Sequence, residues 1–154
     1  STGEKYIVEN DPNPQRPMDY SKTKTAEDIA MFADGLFQFV NKQRTEHGLS
    51  EVERCEEMDA VATIRAKEMS EIWGHYRPDG TWYTTLADEM GIIYQYIGEN
   101  GAKNGGTATP YGHINGWMNS DGHRANILLE KHTKVGIGVY YSGQYCYVSL
   151  MPNY

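Results

Sequence analysis

Three short islands of this 154-residue chain hold the side chains best suited to chemistry: Gly74-His75-Tyr76, Gly98-Glu99-Asn100, and the stretch from Trp117 to Leu128, which carries Ser120 and His123. Two histidines and a glutamate make a reasonable donor set for a borderline divalent ion such as zinc, with a fourth position open to water. Both imidazoles must be neutral to bind, so affinity for such an ion is expected to fall as pH drops through the imidazole range. The spacing matches no local zinc signature of the H-E-x-x-H kind, so only the fold can bring His75 and His123 together. Ser120 and His123 are three residues apart and can share one face of a helix or turn. A hydrolytic alternative casts Glu99 as base or ligand and Ser120 as nucleophile. A hydrolase also needs an orienting partner and oxyanion donors, and a serine three residues from a histidine is too common a pairing to count as a triad.

Each of these residues also has a structural reading. His75 can cap a helix end after Trp73-Gly74, and Glu99-Asn100 can be turn residues bonding their own backbone. The Asn100 amide is expected to fix its loop. Ser120-Asp121-Gly122 can be a turn before a helix, with Asp121 as N-cap. Arg124 and Asn126 are expected to brace loops. His47, His113 and His132 read as surface or packing residues, and Tyr76, Tyr94 and Tyr96 as packing residues that can line a groove.

Length and composition suit one domain with a sizeable core. Hydrophobic residues make up 39% and charged residues 23% of the chain, as in ordinary globular proteins. Tyrosine is over-used, with 12 against 3 Phe and 3 Trp, and its ring and hydroxyl suit half-exposed grooves. A net charge of −7 without a Lys/Arg cluster argues against nucleic acid or an anionic membrane as partner. No apolar run is long enough to cross a bilayer. No signal peptide is visible, but the start at Ser1-Thr-Gly reads as an artificial boundary, which leaves room for an export segment upstream. The two cysteines, Cys55 and Cys146, are compatible with a disulfide or with two thiols.

The elements that must position these side chains follow from periodicity. Residues 1–24, with Pro12, Pro14 and Pro17, read as an extended arm or linker. Thr25-Ala-Glu-Asp28 resembles a capping box. It opens a helical stripe through Ile29, Phe32, Ala33, Leu36, Phe37 and Val40, which Gly48 terminates. Met58, Val61, Ala62, Ala66 and Met69 predict a second helix ending near Trp73-Gly74, and a shorter one is expected from Thr84 to Met90. Ile92 to Ile97 is rich in β formers and is expected to be a strand or extended segment. Gly101 to Gly106 is expected to be a loop, and Pro110 to Met118 a helix. Residues 135–141 and 144–151 flank Ser142-Gly143, a hairpin signal. Helices followed by an antiparallel hairpin predict an α+β fold.

The chain resembles the CAP superfamily, the cysteine-rich secretory, antigen 5 and pathogenesis-related 1 proteins that share the SCP domain, and is most similar to its bacterial branch. The matching residues occur in order: Asn41-Lys-Gln-Arg44 with Gly48-Leu49, Ala62 with Arg65-Ala66, Gly74 to Gly80, Gly98-Glu99-Asn100, Trp117 to Leu128, and Val135-Gly-Ile-Gly138. They lie within residues 25–151, so residues 25–154 are expected to form the CAP domain. The resemblance implies an α-β-α sandwich in which helices flank a small antiparallel sheet. It also implies a polar cavity of two histidines and two acidic residues able to hold zinc or another divalent ion, its positions falling on His75, Glu99, Ser120 and His123. Ser120 stands where animal and plant members carry the second glutamate, as in many bacterial members. The function so implied is a secreted, non-enzymatic binding module. Its ligand would be a small molecule, peptide or cell-surface component, it would require no cofactor, and it is expected to be a monomer. The alternative is a metal-assisted or serine-dependent extracellular peptidase.

Overall fold

The computed structural model describes residues 24–105 and 108–154. The expected arm at residues 1–24 lies outside the described residues except for Lys24. Helix α1 (Ala26–Glu46) begins where predicted: Thr25 accepts from the Asp28 amide and Asp28 accepts from the Thr25 amide, a complete capping box. After the C-cap His47, Gly48 takes a positive φ of 75°, a conformation that favours glycine. Strand β1 (Glu53–Arg54) and helix α2 (Glu56–Glu71) follow, then α3 (Thr84–Glu89), β2 (Asn100–Gly105), α4 (Pro110–Met118), α5 (Asp121–Leu128), β3 (Lys134–Ser142) and β4 (Tyr145–Asn153).

The four strands form one sheet in the order β1-β3-β4-β2. β3 and β4 pair antiparallel from Lys134↔Asn153 to Ser142↔Tyr145, and β2 pairs antiparallel with β4. β1 runs parallel to β3, so the sheet is mixed rather than wholly antiparallel. The hairpin loop is Gly143-Gln144, one residue later than expected, because Ser142 is itself paired and Gly143 supplies the positive φ of 60°.

Alternation along β3 and β4 divides the core. Val135, Ile137, Val139, Cys146, Val148 and Leu150 face a layer of α1, α4 and α5, where they pack with Phe32, Leu36, Ile114, Met118 and Ile127. The opposite face carries α2. There Gly136 and Gly138 do the positioning, since a Cβ on Gly136 would run into the Met58 carbonyl and one on Gly138 into the Ala62 carbonyl. The V-G-I-G pattern therefore lets α2 lie directly on the strand backbone. α3 packs outside α2 through Tyr83, Leu86 and Ala87 against Met58, Val61 and Ala62. The result is an α-β-α sandwich, in the α+β class as expected. Cys55 packs against the α2-side cluster and Cys146 lies in the opposite one, and no disulfide joins them.

One segment departs from expectation, and another leaves only one of its two expected forms. Ile92 to Ile97 is not a strand. Only Ile97 makes a bridge, to Asn153, while the Gln95 and Tyr96 amides both donate to the Tyr154 carbonyl and Ile93 is exposed. β propensity without a pairing partner along most of the segment does not make a strand. Gly101 to Gly105, expected as loop, is instead the body of β2, paired residue for residue with β4 from Asn100↔Leu150 to Gly105↔Tyr145. Gly106 lies outside the described residues. Glycine weakens a strand by itself, but it admits close neighbours. A Cβ on Gly101 would touch the Met69 thioether at 3.3 Å and one on Gly105 the Tyr145 ring at 3.3 Å.

Candidate functional site

The site is built around an arginine that the sequence reading placed on α2 without a role. Arg65 falls within the apolar stripe of α2, between Ala62 and Ala66, and its side chain is fully buried. A buried guanidinium needs partners. Its Nε donates to Glu99 Oε2 at 2.9 Å and its Nη2 to Glu99 Oε1 at 3.0 Å, a bidentate fork, while Nη1 reaches Glu68 Oε2 at 2.7 Å. Nη2 also donates to the Gly74 carbonyl at 2.8 Å, which holds the loop carrying His75. Burial pushes the Arg65 pKa down, but Glu99 and Glu68 together outweigh it and leave it raised. Glu68 is shared with Arg77, which in turn reaches Glu89 at 3.0 Å, so the ion pairs run from the core to the surface. A charged residue inside an apolar helical stripe, three residues before a glutamate, was the available signal.

Glu99 is fully buried and fully occupied. Oε2 accepts from Arg65 and from Ser149 Oγ at 3.1 Å, and Oε1 accepts from Arg65 and bonds His75 Nδ1 at 2.8 Å. Both oxygens thus use both lone pairs. His75 is less than half exposed, sits in the loop after α2, and packs against Trp82 and Tyr83 with ring centroids 5.9 and 5.8 Å away. The Tyr83 hydroxyl donates to the Ile97 carbonyl and anchors that wall.

His123 lies on α5. Its Nδ1 bonds Ser120 Oγ at 2.8 Å. Ser120, not Asp121, is the N-cap of α5, and its hydroxyl makes no capping bond because it is turned to the imidazole. Asp121 is already helical and pairs with Arg124 at 2.8 Å. The pKa of His123 is lowered, first by burial and second by the nearby charge of His75. Asn100 ties the islands together: its Nδ2 donates to the His123 carbonyl at 2.9 Å, and its Oδ1 accepts from Asn126 Nδ2 at 2.9 Å. Arg124 donates to the Met118 carbonyl at 3.0 Å. Asn100, Arg124 and Asn126 therefore brace backbone and loops, as expected.

The histidines present one arrangement twice. In each, Nδ1 is engaged, by Glu99 or by Ser120, and Nε2 is the remaining ring nitrogen. The Glu99 carboxylate accepts from His75 Nδ1 and so fixes the tautomer that leaves Nε2 as a donor for a metal, whereas the Ser120 hydroxyl can donate to or accept from His123 Nδ1. Two imidazole nitrogens are a sparse donor set. It does not fit a closed structural site: among the described residues, no group of three or more His, Cys, Asp or Glu side chains is arranged to hold a metal. The other histidines lie elsewhere. His47 bonds the Gln43 carbonyl at the surface. His113 is buried between Phe32 and Trp117, with its Nε2 2.7 Å from Asn104 Nδ2. His132 is buried against Tyr96 and Tyr154. Of the tyrosines, Tyr76 stands beside the site against Trp82, whereas Tyr94 donates to Asp88 and Tyr96 stacks on His132 and Tyr154.

An α-β-α sandwich that holds His75 on a buried Arg65–Glu99 pair, and ties the backbone of His123 to Asn100, defines a class of small α+β domains. The family model described as CAP, the cysteine-rich secretory protein family, matches residues 37–154, and the chain belongs to that family. It is 28% identical over 148 residues to the Bacillus subtilis (strain 168) protein YkwD, described as uncharacterised, covering 92% of this chain and 57% of the relative. Among solved structures, an extracellular SCP-domain protein from Bacillus anthracis superposes with a TM-score of 0.71 at 24% identity, over 86% of this chain and 45% of the other. An outer surface protein from Borrelia burgdorferi gives a TM-score of 0.71 at 17% identity, over 90% and 96%. The chain thus spans little more than half the length of YkwD and under half that of the Bacillus anthracis protein. No helix among the described residues is long and apolar enough to cross a membrane.

Proposed function

We propose that this CAP domain is an exported, monomeric, non-enzymatic binding module. Its His75/His123 cavity would hold a divalent ion such as zinc, or a small ligand or peptide, at the two Nε2 atoms. The observation that carries the reading is the state of Glu99. With its four acceptor positions taken by Arg65, Ser149 and His75, it is a brace for His75 rather than a free base or a metal ligand. Export is supported by the descriptions of the similar structures as extracellular and outer-surface proteins.

One contact favours the hydrolase reading, the 2.8 Å bond between Ser120 Oγ and His123 Nδ1. The carboxylate that would orient a catalytic imidazole stands on His75 instead, so the chain carries two separate dyads rather than the linked serine, histidine and acid of a triad. Calorimetry with zinc on the parent, His75→Ala and His123→Ala tests the binding reading. Each substitution should abolish most of the heat, and binding unchanged by both would refute the shared site. A peptide-substrate screen showing activity that Ser120→Ala removes would favour the hydrolase.

A further inference from the structure

Away from the histidine pair, two basic groups are buried side by side without an acid between them. Arg44, 1% exposed, donates from α1 to four backbone carbonyls: Ser50 at 2.8 Å, Ile127 at 2.9 Å, Leu129 at 2.8 Å and His132 at 3.3 Å. Among the described residues no carboxylate pairs with it, and burial lowers its pKa. Ile127 and Leu129 close α5, so the guanidinium sits at the negative end of that helix. His132, in the turn between α5 and β3, is 2% exposed, and neither ring nitrogen makes a well-aligned hydrogen bond. Its ring stacks on Tyr96 and meets Tyr154, with centroids 5.8 Å away in both cases. Those two tyrosines are also joined through the backbone: the Gln95 and Tyr96 amides donate to the Tyr154 carbonyl, and the Tyr154 amide donates to the Tyr96 carbonyl at 3.1 Å. The imidazole therefore clasps the extended segment from Ile92 to Ile97 to the residue that follows β4. That strap leads straight into Gly98-Glu99-Asn100, and a Cβ on Gly98 would lie 3.0 Å from Asn126 Oδ1 on α5.

We propose that His132 is an acid-operated latch: when its ring takes up a proton, the strap swings off Tyr154 and the C-terminal end of α5 loosens. The chain that carries Glu99 and the helix that carries His123 then relax together. The groups that face the ring explain why the closed latch excludes the proton. From α1 comes the Arg44 guanidinium, already positive. From the strap and from the residue after β4 come the phenols of Tyr96 and Tyr154, and from α5 the backbone of Asn126. In the ring's own turn Glu130 is exposed, and Lys131 Nζ lies 5.8 Å from the centre of the Tyr154 ring. No carboxylate is held against the imidazole, and the Asn126 and Asn153 carbonyls offset burial and Arg44 only in part. A charged ring therefore needs water. The strap is the piece that can admit it: Ile93 is exposed, Tyr96 is 41% exposed, and only Ile97 is bridged to a strand. Segments with few buried contacts open at less cost than global unfolding. The inference concerns the frame of the site and holds whichever ligand the histidine pair takes.

Hydrogen exchange of the full chain, followed amide by amide at low urea, tests it. Local opening exposes little surface and so depends weakly on urea, whereas global unfolding depends on it strongly. The Gln95, Tyr96 and Tyr154 amides should open with the weak dependence, and amides at the centre of β4 such as Val148 with the strong one. Corrected for intrinsic rate, opening of the strap amides should rise about 60-fold from pH 7 to pH 4.5, given a ring that titrates at about 4 when closed and 6.5 when open. His132→Phe, which keeps an aromatic ring but cannot take a proton, should abolish the rise. Should that variant not fold, the ring-proton titration of His132 in the parent carries the test, with a midpoint of about 4 expected. Strap amides that exchange only together with the core, a rise that survives in His132→Phe, or a His132 midpoint at its ordinary value would each overturn the proposal.

Discussion

Replacing Glu99 by glutamine tests whether that carboxylate is a structural counter-ion. The substitution keeps shape and volume and removes one charge at a position with no solvent exposure. Arg65, equally buried, would keep only Glu68 as a charged partner, and the new amide nitrogen would face guanidinium protons or the Ser149 hydroxyl. Breaking one side of a buried pair typically costs about 3–5 kcal/mol, because the remaining charge stays desolvated. The surviving Glu68 contact places Glu99→Gln toward the lower end. For a domain of this size about 3 kcal/mol corresponds to a fall in Tm of roughly 6–12 °C. Urea unfolding and calorimetry would measure it. A double-mutant cycle with Arg65→Met should recover part of the loss, since neutralising both members removes the orphaned charge. A loss below about 1 kcal/mol, within the range of an ordinary hydrogen bond, would mean that Glu99 is not locked. That result would refute the reasoning and return Glu99 to candidacy as a base or ligand.

Stability should also fall in mild acid. The His132 imidazole is pushed down to about 4 from 6.5, first by burial and then by the Arg44 charge. The folded state therefore favours the neutral ring. Its contribution is fully present above pH 6.5 and is lost as pH falls toward 4, about 3 kcal/mol in all. Urea titrations at pH 7 and pH 4.5 should show the difference, and His132→Phe should reduce it; an unchanged pH dependence in that variant would assign the effect elsewhere. Gly138→Ala should lose at least about 1–3 kcal/mol, because the new methyl meets the α2 backbone at Ala62 and Thr63 rather than a side chain that can turn away. A neutral result in chemical denaturation would show that α2 can retreat from the sheet.

Much of the framework was legible because it is local. The Thr25–Asp28 capping box, the α1 stripe ending at Gly48, and the α4 span from Pro110 to Met118 each depend on residues within a few positions of one another, and so does the pairing of β3 with β4 across a short turn. The family motifs likewise pointed to His75 and Glu99 as neighbours in space, and the two bond at 2.8 Å. What depends on distant partners was less legible. Ile92 to Ile97 has strand composition but no partner for most of its length. Asn100 to Gly105 has loop composition and a full partner in β4.

The same division runs through the site. Sequence by itself determined which side chains are present: two imidazoles, one carboxylate in the G-E-N island, and Ser120 where a second carboxylate was the alternative. Only the tertiary structure decided their roles. Glu99 arrives beside a guanidinium from a helix 34 residues earlier, and that encounter turns a candidate base into the buried counter-ion of Arg65. Ser120 turns from the helix end toward His123. Residue type limits what a group can do, but the charges and hydrogen-bond partners that meet it in the folded core select which of those things it does.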